Sequence, residues 1–398
     1  MILDNINLAK LETPCFILDY EELHKSLSGF KSALNEFFPK NILSYSVKTN
    51  SLPFLLEKIK NFGCYAEVVS YDEYDLAKKC GFPINKIIYN GPLKSKETFI
   101  EAIEEGAIVN IETKREIRWL MSLPKDRIYR LGVRLNINLD KISPNDAKEG
   151  EGQSRFGYNE ETGEFKEVIS TIQKLKNIKL TGIHVHRTSK TRSLGMYRNL
   201  SHWIIDLIKN YNLNLEYIDI GGGYYGIMEN KPTYGEYAET IYSVFNENLD
   251  LNKTAIVIEP GNAIVASCFA FLSTIIDEKN MGTHYVYTTD GSRIDIDPFF
   301  HKKDYFKEII YSDNSIRKSI SKQIIGGCTC LENDKLFILS NHPKLKVNDR
   351  ILYKSVGAYT MTLTSLFIRY FPKVYLKQAN NYTLIRESWN AAKIIQKK

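Results

Sequence analysis

The chain alternates between short apolar runs and amphipathic stretches from about residue 40 to residue 265. Each run has the length of a buried β-strand, and the stretches between them carry apolar residues at helical spacing. Eight such runs occur, namely NILSYSV, CYAEVVS, KIIYNG, AIVNIE, YRLGVRLNI, LTGIHVH, LEYIDIGGG and AIVIEPG. This alternation predicts parallel strands joined by crossover helices. Eight units close into a (β/α)8 TIM barrel, with a doubly wound open sheet as the alternative on pattern alone.

The pattern changes after residue 265. Runs there are β-like and are separated by turn residues, as in THYVYTTDG, KQIIGGCTCL, KLFILS and NYTLIRE. The N-terminal TPCFILDY is a further strand candidate. We therefore predict an α/β barrel over residues 22–265 and a mostly β domain over residues 266–398, completed by the N-terminal strand within residues 1–21.

Composition excludes several classes of function. Hydrophobic residues make up 43% and charged residues 25% of the chain, which is an ordinary globular balance. The net charge of +6 is spread without blocks and gives little support to nucleic-acid binding. No apolar run approaches the roughly 18 residues of a membrane span. Six scattered cysteines without a C-x-x-C pair argue against a metal site and favour a reducing, cytoplasmic location.

Several polar residues and glycines lie where predicted barrel strands end, which is where TIM barrels gather their active groups. They are Lys48, His186, the glycines at 221–223, and Glu259. Each has an ordinary structural explanation as well. A strand-end lysine reaches into water, a glycine triplet forms a tight turn, a histidine among apolar residues packs in the core, and a glutamate before Pro-Gly lies in a solvated turn.

Together, these groups match the needs of one cofactor, pyridoxal 5′-phosphate, which requires an imine-forming amine, a phosphate cradle, a carboxylate for the ring nitrogen and a flat stacking ring. The sequence resembles the fold-type III decarboxylases that use this cofactor, the group IV family that contains diaminopimelate and ornithine decarboxylases. That resemblance implies an alanine racemase-like barrel. The matching segments follow the family's order and are TPCFILD, YSVKTN, AEVVS, SRFG, GIHVHRTS, IDIGGG, EPGN, TTDG, GGCTCLEND and GAYT.

The resemblance implies a role for each matched residue. Lys48 forms the Schiff base through which the reaction passes to a quinonoid, His186 stacks on the ring, and Glu259 keeps the pyridine nitrogen protonated. Further cofactor-binding residues implied by the resemblance are Arg134, Ser189, Gly221, Gly222, Gly223, Gly261, Asn262 and Tyr359.

The resemblance also implies a homodimer with shared active sites. Cys330 then returns a proton to the substrate carbon in the site of the other subunit, and Asp334 pairs across the interface with Arg155. The local sequence alone leaves Cys330 as a buried cysteine of the β domain and Asp334 as a turn acid.

Three positions depart from the family pattern. Asn262 replaces the arginine of E-P-G-R and so removes a charge-assisted donor. Asp297 stands where diaminopimelate decarboxylases carry an arginine for the distal carboxylate, and Leu331 stands where an acid holds the distal amine. Because an aspartate repels a carboxylate, we expect a substrate other than meso-diaminopimelate. Asp290 and Asp297 remain candidates for receiving a distal ammonium group.

The predicted function is therefore a pyridoxal-phosphate-dependent decarboxylase acting on a related L-amino acid or an amino-acid-like molecule. Two alternatives remain on the same fold. One is an amino-acid racemase, which would abolish optical rotation without releasing carbon dioxide. The other is a non-catalytic protein that binds the cofactor, which would be yellow and inert.

Overall fold

The computed structural model describes residues 8–147 and 153–395. The chain divides into two compact units, one formed by residues 26–264 and one by residues 1–25 with 265–398. Parts of the predicted domains lie outside the described residues, namely 1–7 and 396–398 of the β domain and 148–152 of the barrel. Within the described residues, no helix combines the length and the apolar character needed to cross a bilayer.

The first strand within the described residues, β1 (Cys15–Asp19), belongs to the smaller unit. The next nine strands form one sheet, in which eight parallel strands pair in the order β5-β4-β3-β2-β10-β9-β8-β6 and β5 pairs with β6 to close the ring. This closure confirms the predicted barrel and rules out the open sheet. The strands are β2 (Asn41–Ser46), β3 (Tyr65–Ser70), β4 (Ile87–Leu93), β5 (Ile108–Ile111), β6 (Tyr129–Asn136), β7 (Tyr158–Asn159), β8 (Ile178–Val185), β9 (Tyr217–Asp219) and β10 (Ala255–Ile258).

Helices follow the barrel strands, and several begin at a side-chain cap. Ser70, Ser95, Ser193 and Thr233 each accept a hydrogen bond from the amide three residues on, which satisfies an otherwise unpaired donor. The helices are α1 (Tyr20–Phe37), α2 (Pro53–Phe62), α3 (Tyr71–Lys79), α4 (Lys96–Glu104), α5 (Lys114–Met121), α6 (Leu139–Ile142), α7 (Glu164–Lys174), α8 (Leu194–Asn210), α9 (Tyr234–Phe245) and α10 (Asn262–Val265). Short 3₁₀ turns occur at Val47–Thr49, Ile84–Lys86 and Pro144–Asp146.

The ring of Tyr217 fills the centre of the barrel. It packs in a buried cluster with Ile88 and Val257. A Cβ atom added at Gly132 or Gly182 would lie only 2.1 Å from Tyr217 atoms, so β6 and β8 need glycine where they face this ring. The residues above the tyrosine toward the strand ends are consequently supported by a filled core.

The smaller unit is mostly β, as predicted for the second domain, and most of its strand pairs are antiparallel. Strand β1 lies inside it, antiparallel to β11 and parallel to β17. The sheet runs β15-β14-β12-β11-β1-β17-β18, and β13 and β16 attach beside β11. Its other elements are β11 (Phe269–Asn280), β12 (Tyr285–Thr289), β13 (Lys307–Ile310), β14 (Ser319–Gly326), β15 (Lys335–Pro343), β16 (Arg350–Lys354), β17 (Lys373–Gln378), β18 (Asn381–Arg386), α11 (Arg293–Ile296) and α12 (Ala391–Ile395).

Candidate active site

Lys48 lies in the 3₁₀ turn directly after β2, at the carboxyl end of the barrel strands. Its side chain is 36% exposed, and its Nζ is 2.7 Å from Oε2 of Glu67 on β3, whose side chain is 1% exposed. Ser46 Oγ donates to the same carboxylate oxygen at 2.5 Å. The lysine is therefore held at the barrel mouth by a buried carboxylate on the neighbouring strand.

A chain of buried amide side chains links this carboxylate to a second one. Asn90 Nδ2 lies 3.3 Å from Glu67 Oε1 and 2.6 Å from Glu259 Oε1. Asn110 donates to Asn90 Oδ1 at 2.8 Å, and the hydroxyl of Tyr217 donates to Asn110 Oδ1 at 2.7 Å. The two glutamates are thus oriented by neutral donors anchored on the central tyrosine.

Glu259 lies in a buried group with Asp219 and His184. One ligand-type atom from each lies within 4.8 Å of the others, a spacing that a metal ion would also suit. Burial raises the pKa of Asp219 well above its usual value, and the Glu259 charge raises it further. Burial also disfavours charge on Glu259, but His184 and a hydrogen bond from Asp219 outweigh it and lower the Glu259 pKa. Asp219 therefore holds a proton while Glu259 is charged, as required of a partner for a protonated pyridine nitrogen.

His186 follows β8 and contacts the glycine turn after β9. The Gly222 amide donates to His186 Nδ1 at 3.2 Å. A Cβ at Gly221, where φ is +70°, would approach His186 to 2.6 Å, and one at Gly222 would lie 2.5 Å from the Glu259 carbonyl oxygen. The turn therefore needs glycine because it packs directly on the histidine and on the end of β10.

The imidazole of His186 is uncharged at neutral pH. Burial is the main cause that lowers its pKa, to about 3, and the nearby cations Arg134 and Lys48 lower it further. A neutral flat ring beside Lys48 suits stacking on an aromatic cofactor that itself carries charge.

Arg134 and Ser189 are also brought to this end of the barrel unit. Arg134 is nearly buried on β6, and its Nη1 donates to Glu112 Oε2 at 2.9 Å. Ser189 is buried and its Oγ accepts from the Arg192 amide at 2.9 Å.

The loop after β10 packs tightly under the Lys48 turn. A Cβ at Gly261 would lie 1.9 Å from Thr49 Oγ1, so only glycine fits there. Asn262, the next residue, begins α10. The glycine amides at 221 and 222 already donate to Asp219 and His186, so an anion at this turn competes with a ring nitrogen for the Gly222 amide.

The remaining predicted residues lie in the smaller unit, apart from Arg155. Cys330 is exposed in the loop between β14 and β15, and Leu331 beside it is 38% exposed. Tyr359 is 41% exposed and has a φ of +56°. Arg155 is an exposed residue of the barrel unit whose guanidinium carbon lies 4.1 Å from the Phe156 ring centre.

Asp290 and Asp297 are engaged by their own chain. Asp290 accepts from Thr13 Oγ1 at 2.5 Å and from the Thr274 amide at 2.8 Å. Asp297 is 5% exposed and accepts two bonds from the Arg293 guanidinium. Three further donors reach Asp297, and these are the amides of His301 and Lys302 and the hydroxyl of Tyr305. Asp297 thus anchors the segment after α11.

Sequence reasoning missed several groups at the barrel mouth. They are Glu67, Glu73, Asn90, His184 and Asp219. One feature of the sequence could have indicated them. Runs of otherwise apolar strand residues contain a charged or amide residue, such as the glutamate of YAEVVS or the aspartate of YIDI. A polar side chain at such a position requires a partner, and partners at strand ends mark a site.

The residues of the barrel unit fit pyridoxal phosphate. They include a lysine at the barrel mouth, a charged carboxylate beside a protonated one, and a neutral imidazole. They also include a glycine turn in which a Cβ atom would clash. Lys48 would carry the cofactor, Glu259 would face its ring nitrogen and His186 its ring.

Comparison with known proteins agrees with this assignment. Residues 22–266 match the family model described as the pyridoxal-binding domain of pyridoxal-dependent decarboxylases. Diaminopimelate decarboxylase of Aquifex aeolicus is 24% identical over 409 residues, which cover 100% of this chain and 95% of that protein. The Campylobacter jejuni diaminopimelate decarboxylase is 26% identical over 366 residues, with 89% and 88% covered.

Solved structures share the fold. The diaminopimelate decarboxylase of M. jannaschii superimposes with a TM-score of 0.83 at 22% identity, covering 98% of this chain and 92% of that one. The arginine decarboxylase of Paramecium bursaria Chlorella virus gives 0.78 at 19% identity, covering 94% and 99%. With the family match over most of the barrel and a site that suits the cofactor, the chain belongs to the pyridoxal-dependent decarboxylases, carboxy-lyases that use pyridoxal phosphate.

Proposed function

We propose that this enzyme decarboxylates an amino acid other than meso-diaminopimelate, with Lys48 as the cofactor amine and Cys330 of the partner subunit as the proton donor. The observation that carries the proposal is the continuous network from Lys48 through Glu67 and Asn90 to Glu259. It joins a reactive amine to a charged carboxylate across the barrel mouth.

The bound cofactor supplies a ring that withdraws the electrons left on the substrate carbon when carbon dioxide departs. The chain's own residues prepare that chemistry. Glu67 lies 2.7 Å from Lys48 Nζ and is placed to accept the ammonium proton, which frees the amine to act as a nucleophile. Glu259 would hold a proton on the ring nitrogen of the bound cofactor, because it remains charged beside protonated Asp219.

The phosphate group would be held mainly by neutral donors. Asn262 offers an amide where the family's arginine offers a guanidinium, so the bidentate charged contact is lost. Ser189 and the glycine turn would then carry more of the phosphate binding, for which the Gly222 amide would have to exchange His186 Nδ1 for a phosphate oxygen. We expect cofactor affinity to depend strongly on the shape of this turn.

Three residues of the smaller unit bear on the substrate. Asp297 carries a negative charge, so it cannot bind a distal carboxylate as an arginine would. The neighbouring Arg293 guanidinium is already bonded to Asp297. Asp290 is likewise bonded to Thr13 and Thr274. Leu331 presents an apolar surface next to Cys330. We therefore favour a substrate whose side chain ends in an uncharged group.

An amino-acid panel tests this assignment. Meso-diaminopimelate, lysine, ornithine, arginine and a set of neutral amino acids are assayed for carbon dioxide, with the amine product identified by mass spectrometry. We expect a neutral substrate to be turned over at least about tenfold more efficiently than diaminopimelate. Efficient turnover of diaminopimelate would refute the interpretation of Asp297 and Leu331. Loss of optical rotation without carbon dioxide would instead establish a racemase.

Borohydride reduction tests the cofactor amine. Reduction of the yellow protein followed by peptide mapping should label Lys48 and leave the buried Lys94 unlabelled. The Lys48→Ala variant should not be labelled at all. Labelling at another lysine would contradict the role given to Lys48.

Mixing two inactive variants tests the shared site. Lys48→Ala and Cys330→Ala are each expected to form almost no amine. A refolded equimolar mixture should regain about a quarter of the wild-type rate of amine formation, because hybrid dimers keep one intact site. A mixture with no regained activity would show that both residues act from the same chain or that no dimer forms.

A further inference from the structure

The loop Gly327–Asp334 joins β14 to β15 and carries Cys330 on its exposed side. Its base is closed by the backbone, since the Gly327 amide donates to the Asp334 carbonyl oxygen at 2.8 Å. A second bond runs from the Asp334 amide to the Leu331 carbonyl oxygen at 2.9 Å. The residue pair Gly326 and Lys335 ends the strand ladder directly below.

The Asp334 side chain lies inside this loop and is 4% exposed. Its Oδ2 accepts from the Thr329 amide at 3.1 Å, from Thr329 Oγ1 at 2.6 Å and from Ser292 Oγ at 3.0 Å. Its Oδ1 accepts from the Arg293 amide at 2.8 Å. One carboxylate thus ties the residue before Cys330 to the start of α11.

Three of these four bonds reach Oδ2 and one reaches Oδ1, so donors of the same chain hold both oxygens of the carboxylate. The resemblance to known decarboxylases assigns Asp334 to an ion pair with Arg155 across a dimer interface. That ion pair would not account for the four donors of its own chain that Asp334 holds.

Gly327 provides the space for the carboxylate. A Cβ at this position would lie 2.3 to 2.5 Å from Asp334 Oδ2, Oδ1 and Cγ. The preceding glycine offers a natural comparison, because a Cβ at Gly326 would lie 3.5 and 3.6 Å from backbone oxygens, which is ordinary contact.

We propose that Asp334 is a positioning residue for Cys330, holding the thiol's loop against α11 through Thr329, Ser292 and Arg293. This inference rests on the proposed function, in which Cys330 delivers a proton to the substrate carbon. Because proton delivery depends steeply on geometry, displacement of the loop should impair it while substrate binding persists.

Amide hydrogen exchange of the holoenzyme tests the geometry without reference to activity. In Asp334→Asn one of the two carboxylate oxygens becomes an NH2 donor, so the Thr329 amide or the Arg293 amide loses its acceptor. In Gly327→Ala the added Cβ displaces the carboxylate from both amides. In each variant at least one of the two amides should exchange at least about tenfold faster than in the wild type. Gly326→Ala is the matched control and should leave both rates unchanged. Unchanged rates in both test variants would overturn the inference.

Product analysis with a substrate from the panel tests the consequence. We expect Asp334→Asn and Gly327→Ala to lower kcat by on the order of tenfold or more with KM within about twofold. They should also release less amine than carbon dioxide, with the difference recovered as the aldehyde that water forms when the amino group stays on the cofactor. Gly326→Ala should release the two in equal amounts. If Arg155→Ala reproduces these defects while the exchange rates of Asp334→Asn stay at wild-type values, the interface ion pair explains Asp334 and the positioning role is wrong.

Cys330→Ala separates the two hypotheses. If this variant releases amine and carbon dioxide equally, the proton-donor role in the proposed function fails, and the exchange data still decide whether Asp334 shapes the loop. If Cys330→Ala lowers the amine yield but Asp334→Asn and Gly327→Ala do not, the proposed function stands and the positioning inference fails.

Discussion

Individual residues at the barrel mouth differ in protonation although their chemistry is similar. Asp219 holds a proton and Glu259 is charged, while burial raises the pKa of Glu73 to about 7. Desolvation acts on all three, and the local donors and neighbouring charges decide the outcome. The state of each carboxyl group is therefore a property of its position and not of its residue type.

Replacing Glu67 by Gln should slow the capture of pyridoxal phosphate. The amide keeps the shape of the side chain but no longer accepts the Lys48 proton, so we expect capture at neutral pH to slow by roughly tenfold to a hundredfold. Absorbance after mixing cofactor with the cofactor-free protein measures the rate. Glu57→Gln, on an exposed face of α2, is the control. Capture at the wild-type rate would show that another group takes the proton.

Glu73 should make stability depend on pH. Its Oε2 accepts from the Val69 amide at 2.8 Å, yet burial raises its pKa to about 7 from an ordinary value of 4.5. Between those values the folded state holds a proton that the unfolded state has lost, so the stability that Glu73 contributes is full below pH 4.5 and is lost as the pH rises through 7.

The Glu73→Gln variant stays neutral and should remove that dependence. The free energy of unfolding of the variant minus that of the wild type should increase by on the order of 2 kcal/mol between pH 4.5 and pH 7.5. The shift in the Glu73 pKa corresponds to a larger increase, which the partial solvent access of Glu73 reduces. Urea denaturation at the two pH values measures this. An equal difference between variant and wild type at both values would contradict the raised pKa.

At the scale of elements, a buried ion pair joins the residue that follows β4 to α5. Lys94 Nζ lies 2.7 Å from Glu116 Oε1, with both side chains at most 1% exposed, and it also donates to the carbonyl oxygens of Gly91 and Asn110. Glu116 Oε2 meanwhile accepts from the Thr113 amide at the start of the helix. The pair therefore fixes the helix terminus to the strand that carries Asn90.

Lys94→Met should leave Glu116 buried without its cation. Because an uncompensated buried charge is costly, we expect a loss of about 3 kcal/mol in the free energy of unfolding. Lys96→Met, at the exposed first position of α4, should change it by less than about 0.5 kcal/mol. Chemical denaturation of both variants measures the difference, and similar effects would mean that the buried pair is dispensable.

At the scale of the whole molecule, the two ends of the chain share one sheet. Strand β1 lies between β11 and β17, and Ile17 pairs with Ala270 and Tyr375. Ile17 also belongs to a buried cluster with Leu272 and Leu352. The smaller unit therefore forms only after the last third of the chain is available, because its central pairings span more than two hundred residues.

Ile17→Pro should disrupt the smaller unit. Proline removes a ladder hydrogen bond from a strand with neighbours on both sides, so we expect rapid proteolysis within residues 265–395. Ile17→Val keeps the backbone donor and should cost only about 1 kcal/mol. Limited proteolysis of the two variants makes the comparison, and equal resistance would show that β1 is not essential to the sheet.

The sequence alone determined the alternation of strands and helices and the mostly β second domain, because these depend on periodic burial, and its resemblance to a known family implied the cofactor. The pairing of β5 with β6 decided between a closed barrel and an open sheet. The sequence also placed Lys48, His186 and Glu259 at the same end of the barrel, since parallel strands present their carboxyl ends together. Only the tertiary structure decided their partners. Asn90 and Glu259 are 169 residues apart in sequence and 2.6 Å apart in space. The proton on Asp219 and the four donors around Asp334 likewise arise from distances between remote segments, which no local pattern in the chain encodes.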